Sequence, residues 1–363
     1  MSSKVVTIVG ARPQFIKAAA VSRALREGYS DRIEEVLVHT GQHFDANMSE
    51  VFFEELDIPR PRLKLEISGG NHGAMTGRML EAVENVLLHE KPDWVLIYGD
   101  TNSTLAGALA AAKLHIPVAH VEAGLRSYNM RMPEEVNRIV ADRISTLLLC
   151  PTETAVSNLK AEGINRGVHN VGDVMYDVAL HYRDKARQHS KALVVHGLTE
   201  KNFVLATCHR AENTDDPQRL RNILEALAAV AQKLPVVLPL HPRTRKLVEQ
   251  NNLGHLLAPL TITDPLPFLD MVALEQAAKL ILTDSGGVQK EAFFYGVPCI
   301  TMRDETEWVE TVHLGMNQLV GASKVEIQRA AFAVLETDVA VVSALPYGDG
   351  RAAQKIAQFL VTN

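Results

Sequence analysis

Short runs of consecutive apolar residues alternate with longer stretches of helical spacing along the whole chain. In the first half the apolar runs are Lys4–Val9, Glu35–His39, Trp94–Tyr98, Val118–Val121, Leu147–Cys150 and Val168–Val171. In the second half they are Phe203–Thr207, Val236–Leu240, Leu280–Thr283 and Pro298–Thr301. Runs this short and this continuous predict strands buried on both faces, as in parallel sheets, rather than half-exposed antiparallel ones. Between them, Ala74–Leu88, Thr104–Leu114, Glu134–Ile144, Pro217–Gln232 and Gly287–Phe294 carry helical periodicity. Strand and helix in alternation build right-handed βαβ units, and these wind into doubly wound sheets.

The strand series breaks near Gly172. Asp177–Ser190 reads as a polar helix leading to a fresh strand. Two Rossmann-type units are therefore expected, one from residues 1–172 completed by 349–363, the other from 173–348. The stretch PYGDGR, Pro346–Arg351, is a break, after which a last helix to Leu360 crosses back onto the first unit. A length of 363 residues agrees with two domains. Ligands of such sheets bind at the carboxyl ends of the strands, at the topological switch point, so the natural site is a cleft between the units.

Composition is that of an ordinary soluble protein, 47% hydrophobic, 22% charged and 5% aromatic. A net charge of −6 argues against a nucleic-acid surface but leaves room for anionic small ligands at local Arg and His clusters. Cys150, Cys208 and Cys299 adjoin apolar runs, as reduced core thiols do. No Cys/His pattern suggests zinc. The chain enters directly into KVVTIVG without a signal-peptide pattern, and no apolar stretch approaches the roughly 20 residues of a membrane span. A cytoplasmic location without membrane partners is the expectation.

The chemistry concentrates in loops that follow strands. His120–Arg138, HVEAGLRSYNMRMPEEVNR, packs Glu122, Glu134 and Glu135 among Arg126, Arg131 and Arg138. Crowding carboxylates at a strand exit is costly unless chemistry or a ligand needs them. Asp100 ends another apolar run, WVLIYGDT. Two acid-bearing loops at the ends of two expected parallel strands point to proton transfer. GARPQFIK places Arg12 and Lys17 about a helix N-terminus, read either as an anion site or as a plain turn with solvated bases. DSGGVQKEA offers Ser285, Gly286 and Gly287 to a phosphate and Glu291 to a ribose diol; the plainer reading is an Asp or Ser cap on a core helix. CHRAEN adds His209 and Arg210, and HPRTR, His241–Arg245, adds positive potential. VHTGQHFD offers His39, Gln42 and His43 as hydrogen-bonding groups without a third metal ligand.

Taken in order, GARPQFIK, TGQHFD, YGDTNST, HVEAGLR, PEEVNR, CHRAEN, DSGGVQKEA, VPCITMRDETE and PYGDGRA resemble the motifs of non-hydrolysing UDP-N-acetylglucosamine 2-epimerases, across essentially the whole chain. The resemblance implies a glycosyltransferase-B-like fold, two Rossmann-type domains around a cleft, a homodimer, and no metal or redox cofactor. It also implies a route for the acids. UDP leaves C1 as the C2 proton is removed, giving a 2-acetamidoglucal, and UDP then adds back with protonation from the other face. That route needs a base, an acid and stabilisation of the departing diphosphate. By resemblance Asp100, Glu122 and Glu134 are the catalytic carboxylates, in roles the sequence does not apportion. Arg12, Lys17 and Arg138 lie near the diphosphate or those carboxylates. His209, Ser285, Gly286 and Gly287 hold the phosphates, Glu291 the ribose, Phe268 the uracil side, and Asp304 the sugar-side loop.

The chain departs from many members at RSYNMRMPEE, which is shorter and carries Arg131, and at ETEWVET, where Trp308 replaces a basic element. SGGNHGAMTGR lacks the Arg-Gln pair of the activator site found in some members, so activation by substrate is not expected. These segments resemble the branch acting on UDP-2,3-diacetamido-2,3-dideoxyglucuronic acid in O-antigen synthesis. Arg131 then either pairs with the C6 carboxylate or is a solvated loop residue. UDP-N-acetylglucosamine is the alternative substrate. A glycosyltransferase of the same fold is the alternative class, but it has no need of three carboxylates opposite the nucleotide site.

Overall fold

In a computed structural model the described residues are 2–42, 60–337 and 344–362. The chain forms two compact units, Met1–Val178 with Leu345–Asn363, and Ala179–Ala344. Each is built around one parallel sheet, as the continuous apolar runs require.

In the first unit the strands are β1 (Ser3–Val9), β2 (Ile33–His39), β3 (Leu63–Lys64), β4 (Trp94–Tyr98), β5 (Val118–Val121), β6 (Leu147–Cys150) and β7 (Val168–Asn170). Their spatial order is β3-β2-β1-β4-β5-β6-β7. The chain reverses direction across the sheet between β1 and β4, so the switch point lies at the ends of those two strands. Val6, Ile8, Val36, Val95, Ile97 and Val118 form one core cluster with Val83 and Leu87 of the helix His72–Glu90. The helix Ala352–Thr362 returns from the far end of the chain and packs on the helix Arg12–Tyr29. Its entry is tight: a Cβ on Gly172, whose φ is +90°, would sit 2.9 Å from the carbonyl oxygen of Tyr347. Only glycine fits there.

The second unit repeats the plan with β8 (Val204–Thr207), β9 (Val236–Pro239), β10 (Thr261–Thr263), β11 (Leu280–Thr283), β12 (Cys299–Thr301) and β13 (Asn317–Leu319), in the order β10-β9-β8-β11-β12-β13. Its switch point lies between β8 and β11. One side of the sheet is covered by helices Pro217–Val230 and Lys324–Glu336, whose Leu220, Ile223, Leu227 and Ile327 are fully buried.

All ten strands expected from the sequence are present within a residue or two. The three it missed, β3, β10 and β13, are edge strands of two or three residues. An edge strand is covered less completely, so it need carry no continuous apolar run, although β7, the other edge of its sheet, was legible.

Candidate functional site

In the first unit, Tyr98 of β4 pairs with Val121 of β5, so the loops leaving those strands are neighbours. They carry Asp100 and Glu122. Gly99 has φ +58°, and a Cβ there would lie 3.3 Å from Glu122 Oε2 and 3.4 Å from Lys17 Nζ, so the turn sits directly against the acid. Glu122 itself has φ +70°. The left-handed region costs a side-chain-bearing residue roughly 1–2 kcal/mol and persists where the surroundings impose it, as at functional sites.

Each of these acids faces a cation. Lys17, buried on the helix Arg12–Tyr29, is ion-paired with Glu122. Arg138, buried on the helix Pro133–Ile144, is ion-paired with both Asp100 and Glu135. The Asn137 amide donates to the Asp100 carbonyl at 2.9 Å. The loop after β1 joins the same point through Gln14, whose Oε1 accepts from the Gly10 and Ala11 amides at 2.8 and 3.1 Å and whose Nε2 donates to the Tyr98 carbonyl at 2.7 Å. Arg12 is half-buried at the start of this helix.

The acids that looked crowded in sequence are sorted by the fold. Glu135 is fully buried and accepts from the Ser127 amide and hydroxyl, the nearer contacts both 3.0 Å, and from the Tyr128 amide at 2.9 Å, fixing the loop before it. Glu134, one residue earlier, is half-buried and has no hydrogen-bond or ion-pair partner among the described residues. Arg126 is spent on Glu162, at 2.6 and 2.8 Å, and on Asp142 at 2.7 Å. Arg131 is exposed, its backbone amide donating to Asn129 Oδ1 at 3.1 Å, and its guanidinium has no partner among the described residues.

In the second unit, β8 and β11 are adjacent, and Thr207 and Thr283 at their ends share a hydrogen bond of 2.6 Å. Asp284, fully buried, accepts from the His209 and Arg210 amides at 3.0 Å and so fixes the loop after β8. Ser285 occupies the N-cap position of the helix Gly286–Phe294 but makes no side-chain cap bond. The plain capping reading of DSGG is thus not what the fold uses. The Gly286 and Gly287 amides begin a helix with a positive N-terminal end. Around that end stand Trp308 Nε1, Glu307 Oε1 and Arg210, between 3.4 and 3.8 Å from where a Gly286 Cβ would lie. Glu291 folds back to it, its Oε2 3.9 Å from the corresponding position on Gly287. The His209 ring is part-exposed beside Asp284.

Other expected groups have partners of their own. Phe268 opens the helix Phe268–Ala277, is 4% exposed and meets Tyr182 edge-to-face at 5.2 Å. Asp304 is exposed and accepts from Arg219 at 3.0 Å. HPRTR is largely structural: His241 caps its own helix by accepting from the Arg243 amide, Arg243 pairs with Asp215, and Arg245 with Asp264. Burial, then the charges of His209 and Arg243, hold the His241 imidazole below its usual range. In the first unit His39 is buried edge-on to Phe15, and Gln42 accepts from the Ser103 hydroxyl at 2.8 Å. His43 lies outside the described residues.

Sequence reasoning passed over Gln14, Asn137, His120 and Asp142. All four lie inside motifs already singled out or next to them. Asn137 and Arg138 follow Glu134 by three and four residues, one helical face, which was the available signal. His120 and Asp142 are 22 positions apart and gave none.

Comparison with known proteins follows the same lines. A family model described as UDP-N-acetylglucosamine 2-epimerase matches residues 26–361. A UDP-2,3-diacetamido-2,3-dideoxy-D-glucuronate 2-epimerase of Pseudomonas aeruginosa is 55% identical over 361 residues, 98% of this chain and 99% of the relative. The crystal structure of Methanocaldococcus jannaschii UDP-GlcNAc 2-epimerase in complex with UDP-GlcNAc and UDP is 41% identical, with a TM-score of 0.91 over 100% of both chains. UDP-GlcNAc 2-epimerase from Neisseria meningitidis bound to UDP-GlcNAc is 30% identical, with a TM-score of 0.89 over 99% of this chain and 100% of that one. The two-unit α/β architecture is the glycosyltransferase-B-like one these structures share.

Proposed function

The chain belongs to the UDP-N-acetylglucosamine 2-epimerase family, and on that premise we propose that it inverts C2 of UDP-2,3-diacetamido-2,3-dideoxy-D-glucuronic acid to give the manno isomer. The observation that carries the chemistry is the pair of acid-bearing loops on adjacent strands, Asp100 beside Arg138 and Glu122 beside Lys17, with Glu134, which has no partner among the described residues, on the helix that clamps them.

Loss of UDP breaks the C1–O bond and loss of the C2 proton leaves a C1–C2 double bond. The base takes that proton as the diphosphate departs. Re-addition reverses both steps with the proton delivered to the opposite face, so two proton-transfer groups must flank the ring. Asp100, Glu122 and Glu134 supply them. Lys17 and Arg138 keep Glu122 and Asp100 oriented. In the second unit the amides of Gly286 and Gly287, the Ser285 hydroxyl and His209 hold the diphosphate, which gains negative charge as it leaves. Glu291 takes the ribose diol, Phe268 flanks the uracil, and Asp304 orders the sugar-side loop.

The substrate assignment rests on the 55% identity to the uronate epimerase and on Arg131, an exposed guanidinium on the loop ahead of Glu134 with no side-chain partner of its own among the described residues. A C6 carboxylate is the group such a cation recognises, and a neutral C6 hydroxyl is not. The second reading, UDP-N-acetylglucosamine as substrate, is favoured by the 41% identity to the M. jannaschii enzyme. We place the enzyme in the cytoplasm as a homodimer, supplying a precursor of surface polysaccharide such as O-antigen. Three buried free cysteines and the lack, among described residues, of a helix able to cross a membrane support the location.

Incubation with each UDP sugar in D2O, followed by proton NMR, tests the proposal. Epimerisation by elimination must place deuterium at C2, and the uronate should turn over well while UDP-N-acetylglucosamine does not. Turnover without exchange would sink the mechanism, and the reverse preference would sink the substrate assignment. Arg131→Ala belongs in the same assay, where it should slow the uronate alone.

A further inference from the structure

His120 has no part in the chemistry above, yet its surroundings are closely defined. It lies on β5, fully buried, two residues before Glu122. Its Nδ1 is 2.8 Å from Asp142 Oδ1 and its Nε2 is 2.7 Å from the carbonyl oxygen of Gly99. Both partners are acceptors. A neutral imidazole has one N–H and satisfies one of them; donating to both at once takes a proton on each nitrogen, with Asp142 as the counter-charge. Burial alone would raise the Asp142 carboxyl, but His120 and Arg126 outweigh it and hold that carboxyl below its usual range. With no exposed edge, His120 does not touch substrate.

Its reach is into both acid-bearing loops. Gly99 immediately precedes Asp100. The Gly99 amide donates to the Val121 carbonyl at 3.0 Å, and its own carbonyl accepts from His120. Both polar groups of that left-handed peptide are therefore tied to β5. On the other side, Asp142 Oδ2 accepts from the Gly124 amide at 3.1 Å and from Arg126 at 2.7 Å. Gly124 is two residues past Glu122. One buried ring, through one carboxylate, thus joins the peptide ahead of Asp100 to the turn that follows Glu122.

We propose that His120 is a positioning residue that fixes the spacing of Asp100 and Glu122 by donating from both ring nitrogens at once. The inference rests on the reading of those two carboxylates as proton-transfer groups. Displacing a reacting group by about 1 Å can cost on the order of 10²-fold in rate, so the effect belongs in kcat. The nucleotide-holding loops lie in the other unit, so KM is spared.

Two near-isosteres separate the two donors. In His120→Gln the amide nitrogen stands where Nε2 was and keeps the bond to Gly99. In His120→Asn it stands where Nδ1 was and keeps only the bond to Asp142. Each variant keeps one bond of the two. His120→Asn should lose about 10²-fold in kcat and in C2 deuterium uptake, with KM and UDP affinity unchanged, and His120→Gln should lose kcat as well. Full activity in either variant, or a loss expressed in KM, would overturn the inference while leaving the epimerase reading intact. Nitrogen-15 NMR of the wild-type ring stands independent of any variant's folding: both nitrogens should resonate as protonated, and a neutral tautomer would overturn it. A wild-type chain that binds UDP but exchanges no C2 proton on either sugar would fail the epimerase reading itself, and this inference with it.

Discussion

Glu134 and Glu135 are neighbours in sequence with opposite surroundings. Glu135 is fully buried, its oxygens taken by Ser127, Tyr128 and Arg138. Glu134 is half-buried and has no such partner among the described residues. A buried carboxylate with every lone pair used is part of the scaffold, whereas an accessible unpaired one is available to a substrate proton. Substitution should separate the two. Glu135→Gln breaks a buried ion pair and should lower stability by on the order of 3 kcal/mol, read by urea unfolding. Glu134→Gln should leave the unfolding midpoint in place and lower turnover by about 10²–10⁴-fold, with UDP binding kept, as should Asp100→Asn and Glu122→Gln. A Glu134→Gln enzyme running at a near-normal rate would remove that residue from the chemistry. Sequence alone placed both acids in one cluster. The i, i+3 spacing of Glu135 and Arg138 was legible; what the sequence lacked was the fold-back of the Ser127–Tyr128 loop onto Glu135, a contact with no local signature.

At the level of elements, the sequence was readable wherever an element is buried on both faces. The central strands announced themselves as apolar runs because parallel strands between helices bury every side chain. β3, β10 and β13 did not, since an edge needs no such run. The loops of the candidate site were readable for a different reason: they follow those strands, so finding the strand locates the loop. Hydrogen bonds between distant elements were not readable, and one of them carries a pH effect. Asp177 accepts from the Ala352 and Ala353 amides at 3.1 and 2.7 Å, capping the returning C-terminal helix. Burial lifts its carboxyl to about 6 against the lowering pull of those amides, with Asp173 and Asp349 adding to the rise. A raised carboxyl means the folded state binds its proton more tightly than the unfolded chain, so the stabilisation is complete below about pH 4 and is lost as pH rises through about 6. Asp177→Asn removes the titration. The stability gap between wild type and this variant should therefore shrink from pH 4 to pH 7 in thermal melts. A gap that stays constant would show that Asp177 does not titrate in that window.

At the level of the molecule, the chain forms two compact units, and the first is assembled from both ends of the sequence. The proposed proton-transfer groups, with Lys17 and Arg138, all belong to the first unit, and the proposed nucleotide groups to the second. Lys17 lies on the helix Arg12–Tyr29, against which the final helix packs with Ile356 and Leu360 buried. Support for the proposed acid cluster therefore comes from residues far from it in sequence, while the proposed nucleotide groups belong to the other unit. Leu360 is 1% exposed, and Leu360→Ala leaves a cavity costing about 2–5 kcal/mol. The molecule carries its own reporters for where that loss falls, because its two tryptophans are Trp94 on β4 and Trp308 in the second unit. In a Trp308→Phe background the remaining fluorescence follows the first unit, and in a Trp94→Phe background it follows the second. Leu360→Ala should lower the urea midpoint seen by Trp94 and the rate of C2 exchange under mildly destabilising conditions. The midpoint seen by Trp308, and the affinity for UDP, should stay where they are. If both midpoints fall together and UDP binding weakens with them, the units fold as one, and the assignment of nucleotide binding to a self-sufficient second unit is wrong.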